Sequence, residues 1–271
     1  MPVTSILGTR LHYLDSGWRG SGSRSPAVAL VHAFPLHAGM WGEQIDALSD
    51  RWRVVAPDLP GFGHTDPLPE GTPPTVDGYA DLVAALIDHL ELGPVVVGGL
   101  SMGGYVAFAL QRRHPELVAG LVLADTRASA DTPEILERRT SQQRQVAEAG
   151  TEELVEMQLA NLLTDETRAQ RPEVVERARA LMAPNSAKGV IDALEAMKGR
   201  ADSTAALAGI DLPTLVLVGE HDGPTPPDVA QEMADAIPAA SIEVIPGAGH
   251  LSNLESPEAF NRALESFLAR L

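Results

Sequence analysis

The chain of 271 residues contains no cysteine, so no disulfide framework is open to it. No two histidines or carboxylates sit at i, i+4 on a recognisable helix face in a metal-binding arrangement either, which leaves no candidate ligand set for zinc or iron. Cations are scarce: 20 Lys and Arg stand against 37 Asp and Glu, a formal net charge of −17 at pH 7. Such a charge repels a phosphate backbone, and no basic run or basic amphipathic helix offers a local exception, so nucleic acid is not an expected partner. No apolar run approaches the roughly 18 residues needed to span a bilayer, and no membrane association is expected. The amino-terminal stretch MPVTSILGTRLHYLDSG lacks a charged start and a sustained apolar segment; it reads as a hairpin turning at Gly8-Thr9 rather than a signal peptide. The cytoplasm is the simplest compartment, although a chain without cysteine is equally compatible with secretion. Gly61-Phe62-Gly63 lacks the Lys-Ser or Lys-Thr pair of a phosphate loop and the spacing of a dinucleotide fingerprint, so no cofactor is implied. Oligomeric state is left open.

What the chain does have is core-forming capacity and regular alternation. At 44% hydrophobic residues it can bury one full core. Strand patterns fall near residues 3–7, 10–15, 27–32, 53–57, 95–99, 120–124, 214–219 and 241–245, with helical patterns between them. Val76, Tyr79, Val83, Leu86, Ile87 and Leu90 recur at helical spacing and predict an amphipathic helix after Thr75. The alternation calls for an α/β fold with a mostly parallel, doubly wound sheet covered on both faces. Ser16 to Pro26 reads as a mobile Gly/Ser-rich surface loop. From Ala128 to Ala208 strand patterning disappears and only helical patterning remains, an insertion that should sit above the carboxyl edge of the sheet.

The most specific segment is Val95 to Gly104, VVVGGLSMGG, in which an apolar strand runs into Gly99-Leu100-Ser101-Met102-Gly103 and then into a helix. This is a G-x-S-x-G elbow in the strand–turn–helix context it requires, with the Ser101 hydroxyl held above the sheet and glycines where neighbouring backbone must pass. A serine hydroxyl is a poor nucleophile at neutral pH and needs a base, which in turn needs an orienting carboxylate. Two later strands end in suitable residues. Thr214 to Val218 leads into Gly219-Glu220-His221-Asp222-Gly223-Pro224, and Ser241 to Ile245 leads into Pro246-Gly247-Ala248-Gly249-His250. His250 is the candidate base and Asp222 the candidate acid. Leu121-Val122-Leu123-Ala124-Asp125 offers a rival carboxylate. Asp222 is preferred because Gly219, Gly223 and Pro224 frame it in a loop that aims a side chain, whereas Asp125 before Thr commonly caps a helix or closes a turn.

Two further motifs complete the pattern: His32-Ala33-Phe34-Pro35, and Asp58-Leu59-Pro60-Gly61-Phe62-Gly63-His64-Thr65. With five ordered motifs from Ala27 to Leu271, the chain resembles the α/β-hydrolase superfamily, nearest its small cap-bearing carboxylesterases and enol-lactonases, a group that includes cofactor-free perhydrolases. The resemblance implies an α/β-hydrolase core of residues 1–127 and 209–271 with a helical cap of 128–208. It also implies the order nucleophile, acid, base, here Ser101, Asp222 and His250, although some relatives carry the acid on the earlier strand where Asp125 lies. The backbone N–H groups of Phe34 and Met102 would then form the oxyanion hole. Ala33 departs from the usual glycine and adds a Cβ at the oxyanion loop. His32 is expected to be structural beneath that loop, His64 and His221 have no motif role, and Asp58 and Thr65 should satisfy backbone groups. Met40 and Trp41 follow the oxyanion loop and are candidate substrate-pocket walls.

The implied activity is hydrolysis of a carboxylic ester or lactone through an acyl-enzyme. Serine at the elbow argues against the carboxylate-nucleophile chemistry of dehalogenases and epoxide hydrolases. A neutral short-to-medium ester or small lactone is the expected partner molecule, because the negative surface disfavours polyanions unless a cap arginine reverses the field locally. The alternatives are a hydrolase-fold small-molecule receptor with slow turnover, or a perhydrolase.

Overall fold

The computed structural model describes residues 2–18 and 26–271. The seven residues from 19 to 25, most of the loop expected to be mobile, lie outside the described residues. Eight strands form one sheet: β1 (Val3–Ile6), β2 (Thr9–Asp15), β3 (Val28–Val31), β4 (Val54–Pro57), β5 (Val95–Leu100), β6 (Val118–Ala124), β7 (Thr214–Gly219) and β8 (Ala240–Ile245). Their order is β1-β2-β4-β3-β5-β6-β7-β8, antiparallel for β1/β2 and β2/β4 and parallel elsewhere. Every residue of β3, β4, β5 and β7 is buried, which is why these strands read as unbroken apolar runs and not as alternation. The first hairpin turns at Leu7-Gly8, one residue earlier than its sequence suggests, with both residues at positive φ (46° and 80°).

On the body lie helices α1 (Gly42–Leu48), α2 (Val76–His89) and α3 (Met102–Arg113). Thr75 starts α2 because its hydroxyl accepts the Gly78 N–H at 2.9 Å. Between β6 and β7 come five helices, α4 (Pro133–Ala149), α5 (Glu152–Leu162), α6 (Asp165–Gln170), α7 (Pro172–Met182) and α8 (Ala187–Lys198). Thr132, Thr164 and Ser186 cap the amino ends of α4, α6 and α8 with their hydroxyls. The chain returns to the sheet and closes with α9 (Pro227–Ala236), α10 (Ser252–Glu255) and α11 (Pro257–Leu268).

Strand order reverses at β3: β4 lies to one side and β5 to the other. In a parallel sheet the loops leaving two such strands diverge and open a crevice at their carboxyl ends. Those two loops carry His32–Pro35 and Ser101. The inserted helices are held over this edge by polar contacts. The Ser186 N–H and hydroxyl donate to the Gly61 carbonyl at 3.0 and 3.1 Å, and the Gly63 N–H donates to Asn185 Oδ1 at 2.8 Å. Gly61 has φ +82°, and a Cβ there would fall 2.4 Å from Gly189 Cα of α8. Two glycines thus let the insertion and the body touch backbone to backbone.

Candidate active site

Ser101 sits between β5 and α3 at φ 54°, ψ −111°, backbone that costs an L-residue on the order of 1–3 kcal/mol. The surroundings over-determine it. Its N–H donates to the Ala124 carbonyl at 2.9 Å, and its own carbonyl accepts from the Gly104 N–H at 2.9 Å and the Thr126 hydroxyl at 2.8 Å. A Cβ on Gly99 would lie 2.1 Å from the Gly103 carbonyl, and one on Gly103 would lie 2.1 Å from the Val31 carbonyl. Glycine at both positions is therefore a steric requirement of the elbow.

His250 follows β8 and Asp222 follows β7, and the structure brings them into contact: His250 Nδ1 lies 2.9 Å from each Asp222 carboxylate oxygen. Asp222 also accepts from the Thr225 N–H at 2.8 Å and the Thr225 hydroxyl at 2.6 Å. Burial opposes ionisation of Asp222, but the facing imidazole and the Thr225 hydrogen bonds hold its carboxyl below the usual range. Asp125 is not against His250. It is fully buried at φ 44°, where it accepts from the Gly219 N–H at 2.8 Å and from the Ser252 hydroxyl. It caps no helix; it ties the end of β6 to β7 and to the histidine loop. Burial and the neighbouring Asp222 charge push the Asp125 carboxyl well above its ordinary value. The two carboxyls are thereby driven apart, and Asp222 is the one kept charged beside the imidazole.

The backbone N–H groups of Phe34 and Met102 make no hydrogen bond among the described residues, and Phe34 and Ser101 line the same cavity. Ala33 is accommodated: it is fully buried, and its N–H donates to Met40 Sδ at 3.2 Å. Met40 and Trp41 are corrected from pocket walls to core residues. They are 0% and 1% exposed, do not line the cavity, and Trp41 packs on the Phe260 ring at 6.0 Å between centroids. The short helical turn Ala38–Trp41 directs both inward, away from the cavity. His32 is structural: Nε2 accepts from the Leu59 N–H at 3.0 Å, and burial pushes the ring down to about 4. Asp58 receives the Ala38 and His64 N–H groups and His12 Nδ1, and Thr65 receives the His12 N–H.

Ser101, His250 and Thr225 line a cavity of about 340 Å³ together with residues from α4, α5 and the end of α8. Its polar wall carries Arg127, Arg138, Arg139 and Asp131, with the buried amides of Gln142 and Gln158. Glu255 braces the histidine loop from beneath: it accepts from the Gly249 N–H at 2.7 Å and from the Thr164 N–H and hydroxyl at 2.9 and 3.0 Å. The His250 N–H in turn donates to the Leu162 carbonyl at 3.0 Å, so α5 of the insertion buttresses this histidine. Sequence reasoning missed Thr225, whose one signal is its place in the turn three residues after Asp222. Arg127, Arg138, Ser252 and Glu255 carried no local signal. Among the described residues, no group of three or more His, Asp or Glu could hold a metal ion.

The sheet order, the elbow and the paired His250 and Asp222 define a hydrolase-type α/β protein. A family model described as the alpha/beta hydrolase fold matches residues 26–257, and the chain belongs to that family. It is 30% identical over 245 residues to the 3-oxoadipate enol-lactonase 2 of Acinetobacter baylyi, covering 90% of this chain and 89% of that one. Among solved structures, a malate-bound thermophilic esterase from Thermogutta terrifontis superposes with a TM-score of 0.92 at 38% identity, covering 99% of this chain and 98% of that one. An enol-lactonase from Burkholderia xenovorans LB400 superposes with a TM-score of 0.90 at 30% identity, covering 99% and 100%.

Proposed function

We propose that the protein is a serine hydrolase of carboxylic esters or lactones. The observation that carries this reading is the pairing of His250 with Asp222 on the cavity that also holds the strained Ser101. Ser101 Oγ attacks the substrate carbonyl carbon, and His250 takes the hydroxyl proton through Nε2 while Nδ1–H stays on Asp222. The tetrahedral oxyanion lies against the Phe34 and Met102 N–H groups, whose lack of other partners among the described residues supports the role; one such donor is worth about 2.7–4 kcal/mol. Collapse breaks the ester C–O bond, and His250 returns its proton to the leaving alkoxide. Water then repeats the two steps and releases the acid. The inserted helices act as a cap that walls the cavity and carries its polar side chains. Relatives named for lactone and ester hydrolysis agree with this chemistry.

The test is steady-state turnover on a panel of p-nitrophenyl esters of increasing acyl length beside a panel of small lactones. Many turnovers per active site on at least one class are expected. Tight ligand-dependent stabilisation without multiple turnover would instead make the protein a receptor.

A further inference from the structure

The loop of residues 32–38, which carries the Phe34 N–H, is held mostly by its own body. His32 Nε2 accepts the Leu59 N–H, the Ala33 N–H donates to Met40 Sδ, the Leu36 N–H closes onto the Ala33 carbonyl at 2.9 Å, and the Ala38 N–H donates to Asp58. One further tie comes from the inserted helices. The buried Asn185, between α7 and α8, donates from Nδ2 to the Pro35 carbonyl, one residue past Phe34. Among the described residues it is the one side chain of the insertion that hydrogen-bonds this loop, and its Nδ2 is the donor that the carbonyl of the buried Pro35 receives.

The other side of the same amide is also used. The Gly63 N–H donates to Asn185 Oδ1 at 2.8 Å, so the carboxamide bridges the Pro35 loop and the Gly61–Gly63 loop. With a carbonyl on one side and an N–H on the other, a single orientation of the amide satisfies both partners. The two loops it joins also meet through their rings, Phe34 edge-on to Phe62 with centroids 6.3 Å apart. The neighbouring Ser186 grips the Gly61 carbonyl with its N–H and hydroxyl, and so seats α8 on the body without touching the Pro35 loop. Seating the insertion and holding the Pro35 loop are therefore separable jobs of adjacent residues. The second bears on chemistry, because a donor displaced by about 1 Å from the developing charge can cost about 10²-fold in rate.

We propose, resting on the ester or lactone reading above, that Asn185 is a positioning residue for the oxyanion hole: through the Pro35 carbonyl it sets the Phe34 N–H where the oxyanion forms. A residue of the inserted helices thereby completes the hole, and the hole is at full strength only with the insertion seated. Asn185 does not line the cavity, so it acts through the loop and not on the substrate. Its loss weakens the transition state, where charge reaches the carbonyl oxygen, and leaves ground-state binding nearly as it was.

The test compares wild type, Asn185→Asp, Asn185→Ala and Ser186→Ala on one p-nitrophenyl ester, with circular dichroism and thermal unfolding to fix a temperature at which each is folded. Asn185→Asp keeps an acceptor for the Gly63 N–H but sets a carboxylate oxygen against the Pro35 carbonyl. Its kcat should fall ~10²-fold with KM within ~3-fold, and Asn185→Ala, which leaves a gap instead of a repulsion, should lose ~10-fold. Protonating the new carboxyl rebuilds the donor. The ratio of kcat in Asn185→Asp to that in wild type should therefore rise as pH is lowered from about 8 to about 5.5, while the ratio for Asn185→Ala stays flat. Ser186→Ala loosens the same joint and should lower Tm, yet hold kcat within ~3-fold. The rate at which a fluorophosphonate captures Ser101 is a second readout, since the phosphonyl oxygen enters the same hole, and it should fall in parallel with kcat. An unchanged kcat in both Asn185 variants, a flat pH ratio in Asn185→Asp, or a loss in Ser186→Ala equal to theirs would each overturn the proposal. Should Asn185→Asp fail to fold, Asn185→Ala against Ser186→Ala decides alone. If wild type turns over no ester or lactone while Asn185→Asp slows phosphonylation of Ser101, the positioning role stands and the hydrolytic reading falls. If esters turn over and the Asn185 variants match wild type, the reverse holds.

Discussion

At the scale of single residues, the decisive distinction is between two buried aspartates at the ends of neighbouring strands. Asp222 faces His250, and Asp125 faces Gly219 and Ser252. Asp222→Asn should keep the fold but leave the imidazole in the wrong tautomer with no counter-charge, lowering kcat by up to ~10⁴-fold by analogy with the same change in a serine protease. Asp125→Asn should lower kcat less than ~10²-fold, since its amide oxygen can still accept the Gly219 N–H. Kinetics of both variants on one ester, with circular dichroism to confirm folding, check this. The reverse order would move the acid to β6. The sequence preference for Asp222 rests on a Gly/Pro frame that signals an aimed loop, and in the fold that loop brings the carboxylate to 2.9 Å from His250 Nδ1. Sequence misjudged Asp125 as a cap or turn, because what Asp125 holds lies 94 and 127 residues away. Met40 and Trp41 were misplaced for a related reason: position after the oxyanion loop says nothing about whether a helical turn points its side chains inward or toward the cavity.

At the scale of elements, His250, the proposed base, is held by a short loop pinned from both sides. Glu255 on α10 receives three donors from the Gly249 and Thr164 region, and α5 supplies the Leu162 carbonyl to His250 N–H. Glu255→Ala leaves those buried donors without acceptors, and should destabilise the protein by about 3 kcal/mol, a fall in Tm of roughly 6–10 °C. The same variant should lower kcat more than it changes KM, because it frees the base rather than the binding wall. Differential scanning calorimetry with steady-state kinetics reads both effects; an unchanged Tm would remove Glu255 from this role. The strands and α2 were legible because full burial and helical periodicity leave local marks. The bracing of the histidine loop was not, because a lone glutamate on a short helix has the same pattern whether it braces a loop or faces water.

At the scale of the whole molecule, acid should weaken the fold through a buried imidazole. His32 Nε2 accepts the Leu59 N–H, so protonation there breaks that bond and charges a fully buried ring, which is why it titrates near about 4 against 6.5 in an exposed chain. Between those values the unfolded chain binds one proton more than the folded one, so stability falls as pH drops from 6.5 to 4. The contribution is about 3 kcal/mol. Asp125 works in the opposite sense, since its raised folded value favours protonation in the native state and offsets part of the loss as pH falls. Urea unfolding of wild type and His32→Gln across this range should show a slope shallower by about 1.4 kcal/mol per pH unit in the variant. Parallel slopes would show that His32 charges freely in the fold. The doubly wound α/β topology was readable at this scale from alternation alone. The cationic wall of the cavity inside an acidic protein was not, because net charge averages over the surface and no local pattern shows that Arg127, Arg138 and Arg139 turn toward the cavity that holds Ser101.

The central claim is that Ser101 forms the covalent intermediate. Treatment with a fluorophosphonate followed by peptide mass mapping should give one adduct, on Ser101. The adduct should be absent in Ser101→Ala, together with at least ~10³-fold of the ester hydrolysis, and should form far more slowly in His250→Ala. An adduct on a different serine, or full hydrolysis by Ser101→Ala, would contradict the account.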